Sequence, residues 1–299
     1  MQSINRFNAE IKIAENLGRV CAYICSEVAN YSAVYSEPNV VSIDDWDREY
    51  GDKNIVDPLL SAHRLAKFYT ISCGDALMSA SVLLGSNSPC YIGISASARS
   101  AVEHAAKVAF LTSLDIDAEE RVLRACGIFQ DGMNDYRSSG SSLDGGENII
   151  EAWVRWKNGF KGSGKGKGKQ KLNTTDMISR LFNEKDVYKR LSRAAHGNAA
   201  WLTAIAIQEQ KNTNFAQYIT LSNYCLALKA SLFAAKGLCG LWDLDCDSVW
   251  EMVNSNNGAE SSIESFESFY SVALDFVEYI SSKEACVVVD CSVDRQPKR

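Results

Sequence analysis

The sequence predicts an all-α protein, an antiparallel bundle of long helices with extra peripheral helices. Only 4 of its 299 residues are proline, so little in the chain interrupts a helix. Apolar residues recur three and four positions apart over long stretches between turn signals, which indicates helices with one buried face. With 46% hydrophobic residues, the chain can bury a sizeable core. We expect one helical domain over residues 1–299, with its core at about 57–240 and a tail at 284–299.

The first half of the chain divides into four long helices. The first is predicted over residues 4–34, where charges scattered among the apolar residues distinguish it from a signal peptide. The polar segment SEPNVVSIDDWDREYGDKN is rich in turn formers, so we expect a connection that stays out of the core. Further helices are predicted over 57–84, 92–114 and 118–137, the last two forming an antiparallel pair.

The second half contains shorter elements. A short helix over 147–157 precedes a loop over 158–171, whose glycines and lysines lack apolar anchors and predict mobility. Asn173 or Thr174 caps the next helix, and Glu184 begins the helix that carries YKRLSRAAHGN. The remaining helices are predicted over 200–210, which we expect to be buried, over 213–241, after Asp247 and over 262–282.

The apolar helices indicate a cytoplasmic protein with no membrane partner. The most apolar stretch, residues 224–242, carries Lys229 and Lys236 on one helical face, as in a core helix with a solvated stripe. The ten cysteines are dispersed and form no Cys-x-x-Cys pair, which favours buried thiols over disulfides or a zinc site. We therefore expect no metal and no other cofactor.

Two segments resemble ligand-binding loops only in part. GFKGSGKGKGK has the spacing of the start of a phosphate-binding loop, but Gly166 stands where the magnesium-binding Ser or Thr is needed. DLDCDS places three aspartates at alternate positions as a calcium loop does, but Ser248 replaces the required glycine. We expect neither site.

Charge is unevenly distributed along the chain, whose formal net charge is −6. Residues 155–171 include several bases and no acid, so this segment can act as an electrostatic arm for a phosphate backbone. The predicted nucleic-acid-binding residues are its lysines and two nearby tryptophans that could stack on bases: Lys161, Lys165, Lys167, Lys169, Lys171, Trp153 and Trp156. The alternative is a mobile loop with no binding role.

Two of the three histidines follow an arginine at short spacing. Arg99 and His104 form an Arg-x4-His pattern, and Arg190 and His196 form an Arg-x5-His pattern. Because Gly197 comes next, His196 can simply be the residue that ends a helix, favoured there by the helix dipole. It can also be a general acid or base, beside an arginine that stabilises charge on a phosphoryl group.

The segment YKRLSRAAHGN resembles a helix of the HEPN superfamily and of related bacterial helical domains, which reads Tyr-x2-Leu-Ser-x3-His. The matching residues are Tyr188, Leu191, Ser192 and His196. The earlier segment SARSAVEHAAKVAFL, with Arg99 and Glu103, resembles the paired upstream helix of those domains. The resemblance spans roughly residues 57–240, and Leu191 stands where HEPN nucleases commonly carry a polar residue.

The resemblance implies an HEPN-like RNA-binding protein or metal-independent endoribonuclease of a bacterial defence or toxin system. The catalytic residues that it implies are His196, Arg190, Arg99, Glu103 and Tyr188. It also implies a homodimer, in which two protomers bring their Arg/His pairs into one site that acts on RNA. Two alternatives stay open: a non-catalytic helical interaction module, and a small-molecule enzyme with a pocket between its helices.

Overall fold

The computed structural model describes residues 2–35, 42–86, 90–138, 146–160, 173–183, 185–210, 215–257 and 263–293. Within these ranges the chain forms twelve helices and no strand, which confirms the all-α prediction. They are α1 (Gln2–Tyr35), α2 (Ile43–Tyr50), α3 (Pro58–Leu84), α4 (Tyr91–Thr112), α5 (Ala118–Ser138), α6 (Gly146–Gly159), α7 (Thr174–Phe182), α8 (Lys185–Ala195), α9 (Ala199–Gln210), α10 (Phe215–Trp242), α11 (Cys246–Asn257) and α12 (Phe266–Val293).

Four long helices, α1, α3, α4 and α10, form the centre of the bundle. A short connection joins α3 to α4, and the two pack along each other. α10 contacts all three of the others, and α1 also contacts α3, so the four enclose a common core. The main partners of α4 are therefore α3 and α10, and the predicted pairing of α4 with α5 is only a minor contact.

The buried face of α4 is built largely from small side chains. Ala98, Ala101 and Ala105 are fully buried, and their size lets neighbouring helices approach closely. Larger side chains on α10, among them Tyr224 and Leu228, fill the space at the centre. The peripheral helices α5, α7 and α8 pack on this frame, α7 and α8 against α4.

The helix α2 lies where a polar connection was predicted, so that prediction is wrong. Trp46 is buried and packs against Tyr50, with ring centroids 4.7 Å apart. The Asp47 carboxylate accepts hydrogen bonds from the backbone N–H groups of Leu59 and Leu60 at 2.7 and 3.1 Å. The polar residues of this segment thus cap the start of α3, while its tryptophan enters the core.

The prediction of a buried helix at residues 200–210 is also wrong. The described side chains of α9 are half-buried or exposed, and Ile207 is 47% exposed. The helix lies at the periphery, mainly against α8 and α10. Its sequence, AAWLTAIAIQEQ, is apolar on every side, so composition did not show that most of its surface stays uncovered.

A group of polar side chains joins α1, α10 and α12. The buried carboxylate of Glu10 accepts hydrogen bonds from the hydroxyls of Tyr279, at 2.7 Å, and Tyr218, at 3.4 Å. The Lys283 ammonium also contacts it. We call these four residues the Glu10 cluster. α12 continues beyond it to Val293 and so includes part of the predicted tail.

By length and composition alone, residues Ala216–Trp242 of α10 could cross a membrane. In the bundle, 72% of their most apolar window is buried. Lys236 lies on the exposed side and pairs with Glu267 of α12 at 3.0 Å. This charged side is the solvated stripe that the sequence predicted.

The cysteines whose side chains are described are free thiols. Cys90 and Cys246 are half-buried, and the others are buried. Two buried cysteines contact Ser231 of α10. Cys73 Sγ lies 3.1 Å from the Ser231 hydroxyl, and the Cys25 thiol donates to the Ser231 carbonyl at 3.7 Å. Among the described residues, no group of three His, Cys, Asp or Glu side chains could hold a metal ion.

Candidate functional site

Four predicted site residues meet where α4 lies against α8. Arg99 Nε donates to Glu103 Oε1 at 2.6 Å, one turn further along α4. The Tyr188 hydroxyl, from α8, donates to the same oxygen at 2.7 Å. Arg99 Nη1 contacts Nε2 of His196, which lies just past the end of α8. We call this chain of contacts, Tyr188–Glu103–Arg99–His196, the Arg99 cluster.

The sequence of α8 determines which side chains face α4. Tyr188, Leu191 and Ala194 are spaced three residues apart, and each is buried. Leu191 is fully buried, which explains an apolar residue where HEPN nucleases commonly carry a polar one. Because Tyr188 is only 4% exposed, its hydroxyl is held against Glu103 by the packing of the helix.

His196 lies at the turn that ends α8. Gly197 has a φ of 61°. Its N–H donates to the Ala194 carbonyl at 3.1 Å, and the N–H of Asn198 donates to the Arg193 carbonyl at 3.1 Å. This is the Schellman pattern of a helix terminus. His196 is therefore a helix-terminal residue, and its exposed side chain is also part of the Arg99 cluster.

Burial and Glu103 together determine the protonation of Arg99 and Tyr188. Burial opposes the charge on Arg99, but the hydrogen bond and negative charge of Glu103 outweigh it and raise the pKa of the guanidinium. Burial and the hydrogen bond to the same carboxylate raise the pKa of Tyr188, which keeps the phenol protonated. Because a guanidinium only donates, Arg99 is the donor in its contact with Nε2 of His196.

Arg190, the arginine that precedes His196 on the same helix, points elsewhere. Its Nη2 donates to the hydroxyl of Ser222 on α10 at 3.2 Å. The arginine that meets His196 is therefore Arg99, from another helix, and Arg190 ties α8 to α10. The other histidine that follows an arginine, His104, is half-buried against the Tyr69 ring, and burial lowers its pKa.

The predicted nucleic-acid-binding residues are not part of this site. Trp153 and Trp156 are each 2% exposed and stack on Phe129 and Phe160. Trp156 Nε1 also donates to the Tyr50 carbonyl at 2.9 Å. The rings are core residues, so their predicted stacking on bases does not fit this structure. The predicted lysines, Lys161, Lys165, Lys167, Lys169 and Lys171, lie outside the described residues.

A small cavity that sequence reasoning missed lies beside the cluster. It measures about 100 Å³ and is bounded by α4, α8, α9 and α10. Ser95 lies one turn before Arg99 on α4, and Ala194 lies just before His196 on α8. Asn223 of α10 and Trp201 of α9 also line it, together with Thr220 and Tyr91. No pattern in the sequence marks these residues.

Comparison of the chain with protein-family models, with curated proteins and with solved structures gives no match. The resemblance to HEPN helices therefore rests on two short motifs, one with Arg99 and Glu103 and one with Tyr188 and His196.

Proposed function

We propose that the Arg99 cluster is the active site of an HEPN-like, metal-independent endoribonuclease. The observation that carries this proposal is the contact between Arg99 Nη1 and Nε2 of the exposed His196. An imidazole can carry a proton, and a guanidinium can bind phosphoryl oxygens with paired donors. The two groups that RNA cleavage requires are thus adjacent and at the surface.

The chemistry follows from these two groups. The ribose 2′-OH attacks the adjacent phosphorus, the bond from phosphorus to the 5′ oxygen breaks, and a 2′,3′-cyclic phosphate forms. One proton leaves the 2′-OH and one reaches the 5′ oxygen. His196 transfers one of these protons, and Arg99 stabilises the charge that gathers on the non-bridging oxygens.

Glu103 and Tyr188 are positioning residues in this proposal. Glu103 binds Arg99 through Nε, which leaves the Nη donors, one of them now on His196, as the groups that a phosphate would bind. Tyr188 holds the Glu103 carboxylate from α8, which also carries His196. One chain supplies one imidazole, and a homodimer would supply a second for the other proton.

Stability alone does not explain why His196 meets Arg99. A hydrogen bond between the exposed His196 and the half-buried Arg99 contributes little to the free energy of folding. Glu103 already gives Arg99 a carboxylate partner at 2.6 Å. An exposed contact of this kind is better explained by a role in binding or catalysis.

The test is RNA cleavage by His196→Ala and Arg99→Gln. His196→Ala should lower the cleavage rate by about 10²- to 10⁴-fold, the range for loss of a general acid or base, with little change in Tm. Arg99→Gln should lower it by about 10²- to 10³-fold, the range for loss of one donor that stabilises charge in the transition state. Arg193→Gln is the matched control, since Arg193 is an exposed arginine of α8. The substrate is mixed-sequence single-stranded RNA, and an oligonucleotide of the same sequence without 2′-hydroxyls should resist cleavage.

Two results would refute the proposal: wild-type protein that leaves this RNA intact, and a His196→Ala variant that cleaves it at the wild-type rate. Light scattering at micromolar concentration tests the dimer. If a monomer cleaves RNA, the two-protomer site is wrong, but the roles proposed for Arg99 and His196 still stand.

A non-catalytic interaction module is the second candidate, favoured by one observation. Glu103 joins α4 to α8 by accepting from both Arg99 and Tyr188, which is also how a purely structural cluster would be built. In that case Glu103→Gln should lower stability, and His196→Ala should affect neither stability nor any measured activity.

A further inference from the structure

We propose that the cavity bounded by α4, α8, α9 and α10 binds a compact, uncharged, largely apolar molecule with one hydrogen-bond donor and one acceptor. The cavity measures about 100 Å³. For scale, an apolar cavity of about 150 Å³ in another protein binds benzene. The space here is about two thirds of that and is open on one side, so a molecule of at most one ring would be partly enclosed by it. This proposal does not depend on the nuclease activity.

Two lining residues carry polar atoms that need a partner. Asn223 is 1% exposed, and its Oδ1 is buried without a hydrogen-bond partner within the described part of the chain. The same holds for Nε1 of Trp201. Folded proteins rarely leave buried polar atoms unsatisfied, and two of them along one small cavity indicate that something else completes them.

The assigned orientation of the Asn223 amide does not decide the matter. Its Nδ2 lies 3.5 Å from the Ser95 hydroxyl, so one end of the amide is in use. If the oxygen and nitrogen were exchanged, the nitrogen would take the unpaired position and would itself lack a partner. The amide has one unused polar atom in either orientation, and the orientation that gives Nδ2 to Ser95 makes that atom the oxygen, an acceptor.

The remaining walls define the chemical class of the ligand. Ile205 and Ile219 contribute apolar surface, and the described lining contains no Asp, Glu, Lys, Arg or His. A charged ligand would be buried without a counter-charge, which is strongly unfavourable. The indole N–H can donate to an acceptor on the ligand, and the amide oxygen can accept from a donor. A phenol or a cyclic amide combines these features.

Water explains the cavity less well. A buried water needs two to four polar partners, and it could bridge Asn223 and Trp201. A single water would leave the walls formed by Ile205 and Ile219 without van der Waals contacts. The apolar lining does not favour additional waters. A molecule with an apolar body and a polar edge satisfies both parts of the lining.

The helix α9 provides access to the cavity. It contributes Trp201, which is half-buried, and it packs mainly on α8 and α10 at the edge of the bundle. A small shift of this one peripheral helix opens the cavity, while α4 and α10 stay in the core.

The experiment measures binding of phenol and 2-pyridone to the full chain by calorimetry and by the shift in Tm. Both probes should raise Tm, and benzene and benzoate at equal concentration should raise it less. Trp201→Phe keeps a ring and removes the indole N–H, so it should weaken binding of 2-pyridone by about tenfold. Ala194→Leu, which fills the cavity from α8, should abolish binding of both probes.

Three results would overturn the proposal. The first is no binding of either probe at millimolar concentration, and the second is equal binding of benzene and phenol. The third is unchanged binding in Ala194→Leu, which would place the probes elsewhere. If Trp201→Phe does not fold, Ala194→Leu and the comparison of probes still decide between these outcomes.

Discussion

The Asp47 carboxylate accepts the backbone N–H of Leu59 at 2.7 Å, in the first turn of α3. Asp57 directly precedes that helix, yet its side chain makes no capping hydrogen bond and pairs with Arg64. The helix is thus capped from α2. We predict that Asp47→Ala lowers the free energy of unfolding by about 1–2 kcal/mol.

Asp57→Ala is the matched control for this cap. It removes a partly exposed ion pair with Arg64 and a long hydrogen bond from the Ser61 hydroxyl, so we expect a loss of at most about 1 kcal/mol. Urea unfolding of both variants measures the difference. Equal losses would show that the contact from α2 does not stabilise α3.

Tyr188 and Glu103 should be energetically coupled. Tyr188→Phe removes the hydroxyl that donates to the carboxylate, and hydrogen bonds to charged groups contribute about 1.5–3 kcal/mol. In a double-mutant cycle with Glu103→Gln, we expect a coupling energy of about 1 kcal/mol or more. Tyr23→Phe, at an exposed tyrosine of α1, is the control. Additive effects of the two substitutions would mean that this hydrogen bond does not hold the cluster together.

Gly18 allows α1 to pass close to the Tyr224 hydroxyl. A Cβ at residue 18 would lie 1.6 Å from that oxygen, which itself hydrogen-bonds to Ser81 and to the Ala14 carbonyl. We therefore predict that Gly18→Ala costs about 3 kcal/mol of stability through overpacking. In the Tyr224→Phe background, the same substitution should cost less.

A second glycine gives the control for this effect. Gly132 lies in α5, and a Cβ there would meet nothing within 4 Å. Gly132→Ala should leave stability unchanged or raise it by about 0.5–1 kcal/mol, as expected for alanine in a helix. In thermal unfolding, the Tm of Gly18→Ala should fall by many degrees, whereas the Tm of Gly132→Ala should stay the same or rise.

His63 should make the protein less stable in acid. Burial lowers its pKa to about 3, whereas an unfolded histidine titrates near 6.5. Between these values the unfolded chain binds the extra proton, so stability is present above about pH 6.5 and falls as the pH decreases. The slope due to this residue should be about 1.4 kcal/mol per pH unit.

The comparison is His63→Leu, which removes the titrating group and keeps an apolar side chain beside Trp242. The free energy of unfolding is measured by urea from pH 4 to 8. The variant should lose less stability in acid than the wild type does. Parallel curves for the two proteins would show that His63 does not contribute to the acid sensitivity.

The long helices could be predicted because their apolar spacing persists over many turns. α2 could not, because a helix of eight residues is stabilised mainly by tertiary contacts, here of Trp46 and Asp47. The exposure of α9 was missed for a different reason. Its apolar residues surround the helix, and composition does not tell which sides a neighbour covers.

The residues of the Arg99 cluster were predicted, but not all of their pairings. Arg99 and Glu103 are four residues apart, which places both side chains on one face of α4, where they form an ion pair. The spacing of Arg190 and His196 suggested a second pair within α8. Six residues correspond to well over one and a half turns, so these two side chains leave the helix on different sides. The cavity at Asn223 depends on four helices meeting and has no local signal.

The Glu10 cluster has a consequence for the order in which the chain is completed during synthesis. Glu10 is made early, whereas two of its partners, Tyr279 and Lys283, emerge from the ribosome more than two hundred residues later. Until then the Glu10 carboxylate lacks most of the hydrogen-bond donors that offset the unfavourable free energy of burying its charge. We therefore expect the part of α1 around Glu10 to stay hydrated on the nascent protein until α12 has been synthesised and packs against it.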